Sequence, residues 1–177
     1  TLRKLNRTKG NLQKQAKPLT RELLEKLLER CDLNTVRGMR DAVLLNLGYE
    51  TMRRRSELVS FRFNDLSVSA SGEHGILLRQ SKTDQHGHGR IIPISVDLAD
   101  LLGKWKNRAS KGFILRSVNA KGSIGDSLRA ESINKILKRL ERGVDPQNSE
   151  LSGHSFRIGR TVDLIEEGAS IPQIALK

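Results

Sequence analysis

The chain has 177 residues, enough for one domain with a real hydrophobic core, and its composition gives no reason to expect two. Lys and Arg number 32 against 20 Asp and Glu, a net charge of +12 that points to a polyanion, with nucleic acid well ahead of a membrane surface. Aromatic residues make up only 3 %, which disfavours RNA or single-strand binding by stacking; no apolar run approaches the roughly 18 residues of a spanning helix, and there is no signal-peptide pattern. The expected protein is soluble and cytoplasmic, associated with the nucleoid, and its partner is double-stranded DNA.

Residues 1–18 read as a basic interdomain linker. They hold Arg7, Lys9 and Lys14 among other cations and no acidic residue, and those three are candidates for contact with a phosphate backbone. Residues 19–177 form the domain. Thr20 is an N-cap candidate for a helix over 21–31, with Leu23, Leu24, Leu27 and Leu28 at amphipathic spacing. Cys31, at its end, is expected reduced in or near the core; alone, it supports neither a disulfide nor a thiolate metal site within the chain. A second helix starts near Thr35 with Val36, Met39, Val43, Leu44 and Leu47 on one face and Arg37 and Arg40 elsewhere, which predicts burial on one side only. Residues 54–60 suggest a short helix.

From 65 to 95 the period changes to two, through Leu66-x-Val68, Ile76-Leu77-Leu78 and Ile91-Ile92-x-Ile94, and predicts a small antiparallel sheet. The polar, glycine-bearing run Ser81 to Gly89 makes its last hairpin tip and carries Lys82. Helices are predicted at about 97–108, 130–142 and 154–167, with Gly143, Asp145 and Pro146 separating the last two, and Ile171-Pro172 opens another.

Arg54, Lys82, His154 and Arg157 are residue types suited to a phosphodiester. Arginine offers a permanently charged fork, histidine exchanges protons near neutral pH, and lysine can protonate a departing alkoxide. In Arg53-Arg54-Arg55 any of the three could turn inward. Arg54 is favoured because Glu57, three residues on, can hold its guanidinium, which leaves Arg53 as a DNA-backbone candidate. His154 and Arg157 share a face at a helix start, where unpaired amides favour an anion. His86 and His88 read as a polar tip or phosphate contacts rather than as metal ligands, and no metal site is expected.

In order, Tyr49-Glu50-Thr51-Met52-Arg53-Arg54-Arg55-Ser56-Glu57-Leu58, Ser81-Lys82-Thr83 and Leu151-Ser152-Gly153-His154-Ser155-Phe156-Arg157 resemble the three boxes of the tyrosine recombinases, the phage integrase family. The likeness runs from about residue 14 to 177. It implies an α+β, mostly helical catalytic core with a small antiparallel sheet and a lysine-bearing hairpin, and site residues Arg54, Glu57, Lys82, His154 and Arg157. It also implies DNA strand cleavage and rejoining through a 3′-phosphotyrosine, with no cofactor, by a homotetramer on DNA. In the family a Trp or His and then the nucleophilic Tyr follow the last box, and this sequence reaches Lys177 first. The expectation is therefore a catalytic-domain fragment, without the family's core-binding domain or nucleophile and inactive alone. The rival expectation is a non-catalytic duplex-binding module derived from a recombinase. Tyr49, the one tyrosine present, reads as a helix-packing residue.

Overall fold

The computed structural model describes residues 16–79 and 89–175. The helices are α1 (Arg21–Glu29), α2 (Val36–Thr51), α3 (Arg55–Ser60), α4 (Val96–Ala109), α5 (Ala130–Val144), α6 (Gly153–Glu166) and α7 (Ile171–Ala175). The strands are β1 (Leu66–Val68), β2 (His74–Leu78) and β3 (Arg90–Pro93), preceded by a 3-10 turn over Phe63–Asp65. The fold is mostly helical with one small sheet, as the change of period predicts.

Helix α2 is the hub. The Thr35 hydroxyl accepts the Gly38 N–H at 3.0 Å and starts the helix, which then packs against α1, α4 and α6. Burial on one side only is not what the structure shows: Met39 through Leu45 are all buried, Arg40 and Asp41 included. The two charges enter together. Arg40 Nε donates to Asp41 Oδ1 at 2.8 Å, Arg40 Nη1 donates to the Arg116 carbonyl at 3.0 Å, and Arg139 from α5 pairs with the other carboxylate oxygen. A periodicity count treats Arg as outward-facing because a lone buried charge is prohibitively costly; a paired one is not.

The sheet has order β1-β2-β3, antiparallel throughout, with Ile76 opposite Leu66 and Ile92, and Leu78 opposite Arg90. Ile76, Leu78 and Ile92 face the core, while Ile91 faces out. Phe61 and Phe63 are buried on either side of an exposed Arg62, which makes a single bridge, to Phe113, before the chain turns at Phe63–Asp65. Trp105 of α4 is fully buried and donates its indole N–H to the Ile114 carbonyl at 2.7 Å.

The segment before α1 is docked onto α6. Lys17 pairs with the buried Glu141 at 3.1 Å, Glu141 also accepts the Leu151 N–H at 2.8 Å, and Leu19, fully buried, donates its N–H to the Ser155 carbonyl at 2.9 Å. The approach is so close that a Cβ on Gly159 would lie 1.9 Å from the Leu19 carbonyl oxygen. Gly48 allows a similarly close approach of α2 to α6, since a Cβ there would lie 2.6 Å from the Phe156 ring. These contacts set the depth and rotation of α6, and so where its first turn points. Helix α5 runs through Gly143 and ends at Val144, before Asp145 and Pro146.

Candidate active site

Three helix ends meet at this site, the end of α2 and the starts of α3 and α6. Helix α2 stops at Thr51 because Met52 takes a left-handed conformation, φ 53°, while donating its N–H to Gly48. This conformation costs a side-chain-bearing residue about 1 kcal/mol, offset here by burial of the Met52 side chain. The turn points the carbonyls of Thr51 and Met52 away from α2. Arg53 Nε donates to Thr51 O at 2.6 Å, and Arg157, from the first turns of α6, sets Nε and Nη2 on Met52 O at 3.3 and 3.2 Å. A helix C-terminus carries partial negative charge and unpaired carbonyls, so it suits cations.

Arg54 follows directly. It precedes α3 in extended backbone rather than belonging to the helix. The expected Arg54–Glu57 pairing is present but built differently: Glu57 Oε2 accepts the Arg54 N–H at 3.0 Å and Glu57 Oε1 accepts from Arg54 Nη1 at 3.2 Å. The carboxylate thereby caps α3 and orients the guanidinium at once. Glu57 is 7 % exposed and Arg54 40 %, so the acid is internal and the base reaches the surface.

His154 is exposed at the start of α6 and lines a cleft with Arg54, Arg55, Ser56, Glu131 and Gly153. Gly153 is required there, because a Cβ would lie 2.2 Å from the Arg55 side chain. The start of α6 offers fewer amides than its sequence suggests: the Gly153 N–H is taken by Asn134 Oδ1 at 3.0 Å and the Ser155 N–H by the Ser152 carbonyl at 2.9 Å. Side chains rather than backbone dominate this cleft.

Electrostatics tie the parts together. Partial burial pushes the Arg53 guanidinium below its usual pKa; Glu57 pulls it back up, while Arg157, Arg90 and Arg54 push it further down. Arg53 and Arg157 sit on successive carbonyls of one turn and Arg54 follows it directly, so the three lie on the same side of the molecule; Arg90 is a cation that the motifs did not single out. The signal for Arg90 was available in its register, two residues before Ile92 on a strand of period two. Lys82, His86 and His88, in the connection from β2 to β3, and Arg7, Lys9 and Lys14 lie outside the described residues. Among the described residues no group of three His, Cys, Asp or Glu is placed to hold a metal, and no helix is long and apolar enough to cross a membrane.

Tyr49 lies elsewhere. It is buried in α2, its hydroxyl donates to Asp163 Oδ2 at 2.5 Å, and Asp163 also accepts the Arg21 N–H at 2.8 Å. Burial first, and then the Asp163 carboxylate, push the phenol up to about 12. Cys31 is buried too, a free thiol pushed by burial to about 11 and donating to the Leu27 carbonyl. Neither is an available nucleophile.

Residues 17–176 match the family model described as the phage integrase family. The integrase/recombinase xerD homolog of Selenomonas ruminantium is 31 % identical over 164 residues, covering 88 % of this chain and 48 % of that protein. Recombinase cre of Escherichia phage P1 is 24 % identical over 192 residues, covering 98 % of this chain and 55 % of its own length. Among solved structures, XerH site-specific recombinase bound to difH substrate superposes with a TM-score of 0.68 at 18 % identity, over 89 % of this chain and 45 % of that one. XerA recombinase gives 0.67 at 16 %, over 89 % and 54 %. The chain belongs to the phage integrase family, the tyrosine recombinases, and it spans about half the length of the curated relatives it matches.

Proposed function

We propose that this chain is the catalytic domain of a site-specific DNA recombinase that cleaves and rejoins strands through a 3′-phosphotyrosine. The observation that supports this most is the gathering of Arg53, Arg54 and Arg157 around the Thr51–Arg53 turn, with Glu57 as the carboxylate among them and His154 on the adjoining cleft. A tyrosine oxygen attacks phosphorus, the new P–O bond forms, charge builds on the non-bridging oxygens, and the bond to the 5′ oxygen breaks as that oxygen takes a proton. Arg54 and Arg157, held in place before substrate arrives, each stabilise the developing charge by about 3 kcal/mol. Lys82 protonates the leaving oxygen, and His154 hydrogen-bonds the phosphate or receives the tyrosine proton. Bond energy is kept in the covalent link, so the chemistry asks for no nucleotide, metal or other cofactor.

The nucleophile is not Tyr49, whose hydroxyl is committed to Asp163, so we assign it to a tyrosine that this sequence does not contain. The complete protein works on double-stranded DNA as a homo-oligomer, with Arg7, Lys9, Lys14, His86 and His88 on the phosphate backbone and residues 1–18 as the linker to another domain. The burial of Tyr49 also favours a second reading, a duplex-binding module without chemistry.

One set of experiments separates the two. In the presence of a chelator, the 177-residue chain should retain duplex DNA in a salt-sensitive way and give no adduct on denaturing gels. The reading frame extended to include a downstream tyrosine should trap covalently on nicked duplex, and Arg157→Ala should abolish trapping. An extended protein that binds but never traps establishes the binding module. An adduct formed by the 177-residue chain through Tyr49 overturns the assignment of the nucleophile.

A further inference from the structure

His154 is an exposed side chain on a fixed backbone. Its neighbours Gly153 and Ser155 are both buried, and each is tied down by residues remote in sequence. Ser155 is reached by the segment before α1, through the Leu19 N–H on its carbonyl at 2.9 Å. Gly153 is reached from two other helices, and neither of those contacts has a part in the reaction above.

The first comes from α5. Asn134 Oδ1 accepts the Gly153 N–H at 3.0 Å, across 19 residues of chain. Asn134 stands one turn after Ala130, which lines the same cleft as His154, so a single face of α5 serves both the cleft wall and the start of α6. The second contact comes from α3, which packs against α5. From the position a Cβ on Gly153 would take, Arg55 Cγ is 2.2 Å away, Cδ 2.7 Å and Nε 3.6 Å. The apolar stem of Arg55, rather than its charged head, is what covers Gly153.

The Gly153 amide is one of the helix-start donors that have no partner within the helix. A cap from a neighbouring residue would satisfy such a donor without fixing where the helix points; a cap from α5 does both. His154 has little packing of its own, so its ring can be placed only through its backbone, and a displacement of about 1 Å is enough to spoil a reacting geometry.

We infer that Arg55 and Asn134 are positioning residues for His154: the stem of one and the amide oxygen of the other grip Gly153 from two helices and hold the His154 ring at the cleft, where it meets the reacting phosphate. This rests on the function proposed above.

The test uses the 177-residue chain and a thymidine dinucleotide, which carries one phosphodiester. Two signals are followed by NMR: exchange of the Gly153 amide in the free protein, and displacement of the His154 ring resonances at saturating dinucleotide. The remaining amide spectrum shows that each variant is folded. Asn134→Ala and Arg55→Ala should each speed Gly153 exchange about fivefold and remove most of the His154 displacement. The conservative variants separate positioning from charge. Asn134→Asp keeps an acceptor for the amide and should restore slow exchange, while Arg55→Met keeps the stem and should restore both signals. The inference is overturned if Arg55→Met loses the His154 displacement as fully as Arg55→Ala, which would make the guanidinium a direct phosphate contact, or if the alanine variants leave that displacement intact. A wild-type His154 ring that ignores the dinucleotide sinks its placement at the reacting phosphate, a failure of the function proposed above; Gly153 exchange then decides by itself whether Asn134 and the Arg55 stem hold the start of α6.

Discussion

Two arginine–carboxylate systems in this protein use the same chemistry to opposite ends. In the core, Asp41 is shared between Arg40 and Arg139, and Arg40 spends a further N–H on the Arg116 carbonyl. At the surface cleft, Glu57 faces Arg54 with Arg53, Arg90 and Arg157 close by, and two of these guanidiniums rest on backbone carbonyls of the Thr51–Arg53 turn. In the first system the carboxylate and one cation are sealed off, Asp41 being 2 % exposed and Arg40 5 %, and Arg139 covers them from the surface. The second stays open to solvent through Arg54, which is 40 % exposed. What separates a structural ion cluster from a binding site is therefore access to solvent, not residue type.

The sharpest break of that comparison is Asp41→Ala. It leaves Arg40 buried without its carboxylate and should cost about 3–5 kcal/mol in urea unfolding. Arg54→Ala, which removes a guanidinium already in partial contact with water, should cost at most about 1 kcal/mol while markedly weakening duplex binding. If both substitutions lower stability equally, the two clusters do not differ in kind.

Next in size is Gly159→Ala. The added methyl collides with the Leu19 backbone and should cost about 3 kcal/mol, with DNA affinity falling because α6, and with it His154 and Arg157, is displaced. A melt unchanged by this substitution would show that the segment before α1 does not set the position of α6.

Tyr49→Phe should cost about 1 kcal/mol and leave DNA binding untouched, since Asp163 keeps the Arg21 N–H. The phenol also supplies a pH signature. In the unfolded chain it ionises near its ordinary value of 10, while in the fold it holds its proton to about 12, so the unfolded state loses protons first and stability falls as pH rises through that window. Cys31 adds a fall of the same sign, from 9 to about 11. Tyr49→Phe should flatten the upper part of the decline; an identical pH profile would mean that neither burial nor Asp163 holds the proton on Tyr49 in the fold. At the small end, Lys26→Ala removes a fully exposed pair with Glu22 and should leave both the melt and DNA binding unchanged.

Much of the fold was legible along the chain. Helices α1, α4, α5 and α6 announce themselves by amphipathic spacing, and the strands by a period of two, because those signals need only local geometry and one apolar environment. Helix α2 resisted the same reading, since its buried charges are partnered by Arg139 and the Arg116 carbonyl, which lie far away in sequence. The Arg54–Glu57 contact followed from spacing, yet its form did not: a cap and an ion pair share one carboxylate because the chain leaves α2 through a left-handed Met52. Arg90 escaped notice because its spacing from Ile92 fixes only a strand face, and not which charges that face meets.

Sequence alone determined that this is a basic, mostly helical domain with a small sheet, and that Arg54, Glu57, His154 and Arg157 stand at spacings suited to a phosphate. Periodicity and motif spacing carry that much because they reflect interactions within a few residues. Only the tertiary structure decided that Arg157 docks on Met52 O beside Arg53 on Thr51 O, and that Tyr49 is committed to Asp163. Each of those outcomes depends on which elements pack together and at what depth, and packing brings charges into contact across as many as 146 residues of chain, from Arg21 to Glu167.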